Sequence, residues 1–144
     1  MKKKIKEKDV KEIKSNVRKR SGRYQKCKGN SYERQIAREL RELGFEGIKT
    51  SRSESKSTDD NKIDLIDING ILPLGIQLKK TKATPSYFTI REQTTWNNDL
   101  FCILWNKQIN GNINMKSIGE CAIISKNLFY KLIKNYYLNK KSYD

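Results

Sequence analysis

Residues 60–80, DNKIDLIDINGILPLGIQLKK, leave this chain few ways to fold. They read as two short apolar strands joined by a turn. Ile63, Leu65, Ile66 and Ile68 form the first, Asn69-Gly70 the turn, and Leu74, Ile76 and Leu78 the second. Polar side chains stand where a plain sheet has no use for them, at Asp64, Gln77 and Lys79. Residues two apart on a strand share a face, so Gln77 and Lys79 point one way while Ile76 and Leu78 point the other. A carboxylate near the start of one strand then meets an amide and an ammonium from its hairpin partner. Metal-assisted phosphodiester hydrolysis needs such a set: oxygen ligands for a hard cation and a lysine beside the attacking water. The plainer alternative makes Asp64 a turn residue that opens a strand, and Lys79-Lys80 a solvated strand end.

The remaining composition narrows the choice. A chain of 144 residues has room for one core. Its formal net charge of +15 is far beyond what solubility requires, and implies a polyanionic partner, nucleic acid ahead of an acidic membrane surface. No apolar run is long enough for a membrane span, and the first residues lack the apolar segment of a signal peptide. The expectation is a soluble protein with no membrane partner, cytoplasmic, or in a host's cytoplasm if a virus encodes it. Histidine is absent, which excludes Ser-His-Asp and Cys-His triads, His-ligated zinc and histidine bases. Cys27, Cys102 and Cys121 form no CxxC pair, so neither a zinc ribbon nor a disulfide framework is expected. Cys102 and Cys121 lie in apolar runs and read as reduced core residues.

Along the chain, residues 1–28 are dominated by lysine and arginine and read as a mobile basic arm for nucleic acid, with a solvated charged face as the alternative. Residues 29–144 then form a single domain. The strongest helix spans residues 30–43, with Asn30 as N-cap, an apolar stripe of Ile36, Ala37, Leu40 and Leu43, and Gly44 at C′. Glu33 has two readings: it closes a capping box, or it carries a carboxylate along the buried stripe toward Asp64. Residues 45–50 read as a strand and 51–61 as a polar loop. Residues 86–95 suggest a weak helix, 100–105 a central strand, 108–116 a connection and 120–124 another strand. A final helix capped by Ser125 places Leu128, Phe129, Leu132, Ile133 and Tyr136 on its apolar side. The order is α-β-β-β-α-β-β-α, an α/β fold with a mixed central sheet flanked by helices.

Glu33 in a first helix, Asp64 at a second strand and Gln77-Leu78-Lys79 in a third stand in an order that resembles the PD-(D/E)xK nuclease superfamily. The similarity is greatest to archaeal-type Holliday junction resolvases and their phage-encoded relatives. It runs over residues 28–80 and includes Lys28-Gly29, Glu33-Arg34, Gly44-Phe45, the serine-containing loop and Ile63-Asp64-Leu65. The resemblance implies a restriction-endonuclease-like core and a metal-dependent endonuclease for branched double-stranded DNA, acting in recombination and repair as a homodimer. It implies Mg²⁺, with Mn²⁺ as the other candidate, held by Asp64, the Gln77 side-chain oxygen, the Leu78 carbonyl and Glu33. Lys79 then serves the attacking water. Lys28, Arg34, Arg52, Ser53, Ser55 and Lys80 are the candidate DNA contacts.

The sequence departs from the family pattern at Gln77, where the usual motif has glutamate, and in the length of the basic arm. The glutamine removes one negative charge from the expected site. Two alternatives therefore stay open: a nicking, repair or restriction-type nuclease, and a non-catalytic nucleic-acid-binding module on a decayed nuclease fold. The Lys/Ile/Asn-rich composition is compatible with an AT-rich virus or mobile element.

Overall fold

A computed structural model describes residues 22–51, 62–96 and 99–140. The expected arm, apart from residues 22–28, lies outside the described residues, as do residues 52–61 of the polar loop. Helix α1 (Gly22–Glu42) starts well before the expected Asn30 cap. Arg23, Lys26 and Lys28 are good helix formers, and Lys28 has a tertiary partner in Gln108, so the basic stretch extends the helix instead of leaving it. Glu33 therefore sits inside α1 and closes no capping box. The helix ends as expected at Gly44, whose φ of 102° suits glycine. Gly44 N–H donates to Arg41 O at 2.9 Å and Phe45 N–H to Leu40 O at 3.1 Å, the paired bonds of a Schellman turn. Leu40 and Phe45 both pack on the core beside that turn. The buried stripe is Tyr32, Ile36 and Ala37, while Leu43, expected in it, is 74% exposed because the chain turns away there.

Five strands form one mixed sheet in the order β1-β2-β3-β4-β5. They are β1 (Ile48–Thr50), β2 (Leu65–Asp67), β3 (Gly75–Thr81), β4 (Phe101–Asn110) and β5 (Met115–Ile124). Pairing is antiparallel throughout except between β3 and β4, which run parallel. That parallel step needs a crossover, supplied by α2 (Tyr87–Gln93). The order of elements agrees with the expected one, and the fold is α/β.

Helices cover the sheet from both sides. Ile76 and Leu78 meet Tyr32, Ile36 and Ala37 of α1, with Ile48 and Leu65 completing that cluster. On the opposite face, Phe101 and Ile103 pack with Ile63, Tyr87, Ile90 and Trp96. Because Gly75 and Gln77 align with Phe101 and Ile103, their faces of β3 look toward α2. Gly75 is small for a reason: a Cβ there would come within 2.7 Å of the Trp96 ring.

The hairpin between β2 and β3 is looser than the Asn69-Gly70 turn suggested. Asp67 organises it, its carboxylate accepting Asn69 N–H at 3.0 Å and Leu72 N–H at 2.8 Å. Residues 108–116, expected as a connection, are mostly strand. Asn106 and Gln108 lie buried, bonded to each other and to Glu120 and Lys28, so the Gln108 amide, expected in a connection, is satisfied inside the sheet. Only a short turn remains, closed by Gly111 N–H donating to Asn114 O at 2.9 Å.

Helix α3 (Lys126–Lys140) begins as expected at Ser125, whose Oγ accepts Leu128 N–H at 3.1 Å. Leu128 is buried, whereas Phe129, Leu132, Ile133 and Tyr136 of the expected apolar side are exposed. Cys102 is buried, and burial pushes its thiol up to about 11. Cys121, expected in the core, is exposed on β5, the edge strand of the sheet.

Candidate active site

Strands β2 and β3 pair at Leu65 and Ile76 and then separate, opening a fork. Asp64 sits at the fork with its backbone held on both sides. Its N–H donates to Ile76 O at 2.9 Å, and its carbonyl accepts Ser51 N–H at 2.9 Å. Past this point β2 no longer supplies a ladder partner for Leu78. The Asp64 side chain does so instead, Oδ2 accepting Leu78 N–H at 2.6 Å. A charged acceptor makes this a strong hydrogen bond and fixes the carboxylate in the plane of the sheet. The N–H and C=O of one strand residue leave on the same edge, so the Leu78 carbonyl also opens onto the fork.

One further step along the β2–β3 register sets Gln77 opposite Asp64. Gln77 is buried, and its Oε1 has no hydrogen-bond partner among the described residues. An orphaned buried acceptor costs about 1–3 kcal/mol, so it calls for a ligand. Lys79 follows on the same face, half-buried and aligned with Trp105 of β4. Trp105 went unnoticed within its apolar run. Its indole N–H donates to Thr81 O at 3.2 Å and Oγ1 at 3.1 Å, fixing an aromatic plate beside Lys79.

Glu33 is buried on α1. It shares a helix edge with Ala37 and Arg41, and Arg41 Nη1 donates to Ile48 O at 2.8 Å at the start of β1. Glu33 thus lies on the helix that packs against β1, and Ser51, just past β1, holds Asp64 through its N–H.

Among the described residues, the candidate DNA contacts Lys28, Arg34 and Lys80 do not converge on this fork. Lys80 points to the α1 face, its Nζ 5.5 Å from the centre of the Tyr32 ring. Lys28 Nζ donates to Gln108 Oε1 at 2.7 Å, on that same side of the sheet. Arg34 is exposed on α1 in a shallow cleft with Ser31, Gln35 and Arg38. Arg52, Ser53 and Ser55 lie outside the described residues. Tyr32, between the two regions, has a phenol pushed well above its ordinary value by burial and next by the nearby Glu120 carboxylate.

Among the described residues, no group of three or more His, Cys, Asp or Glu is placed to hold a metal ion. The donors at the fork are nonetheless all oxygens: the Asp64 carboxylate, the Gln77 amide and the Leu78 carbonyl. That set fits a hard divalent cation, and the orphaned Gln77 oxygen is the observation that favours one.

A mixed sheet crossed by α2 and flanked by helices on both faces defines a restriction-endonuclease-like α/β fold. Residues 24–96, from α1 through α2, match the archaeal Holliday junction resolvase (hjc) family. The chain belongs to that family of nucleases, whose members generally use divalent metals. No curated protein and no solved structure matches it.

Proposed function

We propose that this protein is a metal-dependent, structure-selective endonuclease that resolves Holliday junctions or related branched DNA. The observation that carries the reading is the fork itself: Asp64 Oδ2 bound to Leu78 N–H, opposite a buried Gln77 oxygen with no donor among the described residues. Asp64, Gln77 and the Leu78 carbonyl present oxygens to a divalent ion, with Glu33 ligating directly or through water. When bound, Mg²⁺ or Mn²⁺ supplies Lewis acidity to the scissile phosphate and acidifies water. Lys79, fixed on the same face as Gln77, orients the attacking water and offsets the charge that develops on the phosphorane-like transition state.

Resolution requires two cuts related by the two-fold axis of a junction, and a C2 dimer supplies two equivalent sites. An apolar groove of about 290 Å³ supports this, with Phe45, Leu104, Ala122, Ile124 and Leu132 in its wall. Phe101 and Ile103 of β4 are buried on the opposite face of the sheet and unavailable for a partner. The patch lies instead on that groove and on the exposed Phe129, Tyr136 and Tyr137.

A labelled four-way junction and a duplex of equal length, each titrated with Mg²⁺, test the reading. Symmetric cleavage of the junction is expected, and cleavage of neither substrate by the folded protein would overturn it. A second reading, a binding module without catalysis, is favoured by the glutamine in place of a third acidic residue. It predicts junction-selective binding at every metal concentration and no product.

A further inference from the structure

Trp105 of β4 is a large aromatic side chain that no core absorbs. It shares a face of its strand with Phe101 and Ile103, and Tyr87, Ile90 and Trp96 cover those two. The cover stops there. Trp105 is half-buried and belongs to neither of the apolar clusters that the described residues form. No other aromatic ring among the described residues packs on it. It also lies beyond residues 24–96, where the match to the family ends.

The ring is nevertheless held in place. Its indole N–H donates to Thr81 O and Oγ1, which satisfies its one polar group and leans the ring toward β3. Lys79 precedes Thr81 by two residues on that face. It also pairs with Trp105 in register, so the two backbones are one strand spacing, about 4.8 Å, apart. Lys107 takes one face of the ring, its Nζ 5.2 Å from the centre, while donating to Lys82 O. The other face is an apolar plane with the Lys79 and Lys107 side chains on either side. Because the indole N–H is already bonded, a ligand gains from this ring only through its π-face. A flat ring joined to an anion suits that combination of plane and ammonium groups, and a lone phosphate does not.

We propose that Trp105 is a stacking platform for one DNA base that has left its neighbours' stack, beside the phosphate that Lys79 addresses. This rests on the reading of the fork as a nuclease site and deepens it by naming what is selected. In a continuous duplex each base has both faces covered by its neighbours, so none is free to lie on the ring. At a branch or flap the stack is interrupted and a base face is exposed. Every base has such a face, so the platform selects an interrupted stack and not a sequence.

Binding measured without divalent metal in the Asp64→Asn background keeps cleavage out of the readout. The probes are a four-way junction, a duplex of equal length, and junctions with one abasic residue at successive positions from the branch point. Trp105→Leu keeps an apolar side chain on the sheet and should weaken junction binding about tenfold, the scale of one base–aromatic stack, while duplex binding changes less than about threefold. Trp105→Phe keeps a ring and should bind the junction within about threefold of the parent. One abasic position should weaken the parent about tenfold and leave Trp105→Leu unaffected, the non-additivity of a direct contact. Equal losses on junction and duplex, equal losses for the two variants, or losses of ring and base that simply multiply would each overturn the platform and leave Trp105 a packing residue. Stacking also quenches indole emission. The parent should lose emission on binding the junction, and Trp105→Phe, left with Trp96 as its one tryptophan, should not. If Trp105→Leu does not fold, this quenching decides in its place, and its absence overturns the platform. Coupled losses in a protein whose parent cuts no DNA with Mg²⁺ keep the platform and sink the nuclease reading. Cleavage by the parent with losses that multiply does the reverse.

Discussion

At Asp64, packing and proposed chemistry share one side chain, which decides how it should be replaced. Asp64→Ala would strand the Leu78 N–H at a cost of about 1–3 kcal/mol, mixing misfolding with lost activity. Asp64→Asn keeps an oxygen for that N–H and removes only the charge. Asp64→Asn and Lys79→Ala should each abolish cleavage while junction affinity stays within a few-fold, since phosphate contacts elsewhere supply affinity. Mobility shifts and denaturing gels with and without Mg²⁺ measure the two separately. Gln77→Glu should keep or raise activity at low Mg²⁺, because a carboxylate at the buried Oε1 position restores a negative ligand. Loss of cleavage by a folded Gln77→Glu protein would exclude Gln77 as a ligand. Asp67 predicts a pH effect. Bonds from the backbone N–H groups, Leu72 first, hold its pKa below the ordinary 3.8. Its contribution to stability is therefore fully present above 3.8 and lost as pH falls through the lower folded value. Tm followed from pH 5 downward should drop less steeply in Asp67→Ala than in the parent.

Among elements, α1 ends at a left-handed residue, so Gly44→Ala should destabilise by about 1–2 kcal/mol, read from urea midpoints at unchanged slope. The order of elements was legible because its cues are local. Gly44 stops a helix, Ser125 starts one, and branched apolar residues alternate through β3. The ends of α1, β4 and β5 were not, because they depend on distant partners. Gln108 reads as part of a connection until Lys28 and Asn106 satisfy its amide, and the same bond from Lys28 helps carry α1 back to Gly22. Polar residues at Asp64, Gln77 and Lys79 were visible in the sequence as misfits in an apolar hairpin. The bond from Leu78 N–H, the clamp from Ser51 and the plate of Trp105 were not, since a backbone donor has no letter in the sequence.

For the whole molecule, the proposed dimer makes a test of mass and product together. Leu132 is exposed at the groove, and Leu132→Glu should convert a dimer to a monomer by light scattering at micromolar concentration. The same variant should turn paired cuts in a cruciform plasmid into single nicks. A parent protein that is already monomeric would remove the two-site argument. The clamp on Asp64 carries a consequence for how such a molecule can diversify. Ser51 and Asp64 are tied across neighbouring strands, so the intervening chain departs and returns at fixed anchors. Doubling the length of a flexible insertion between such anchors adds only about 0.6 kcal/mol of closure entropy. A change of chain length between residues 51 and 64 therefore costs the fold little, so long as the bond from Ser51 N–H to the Asp64 carbonyl is kept.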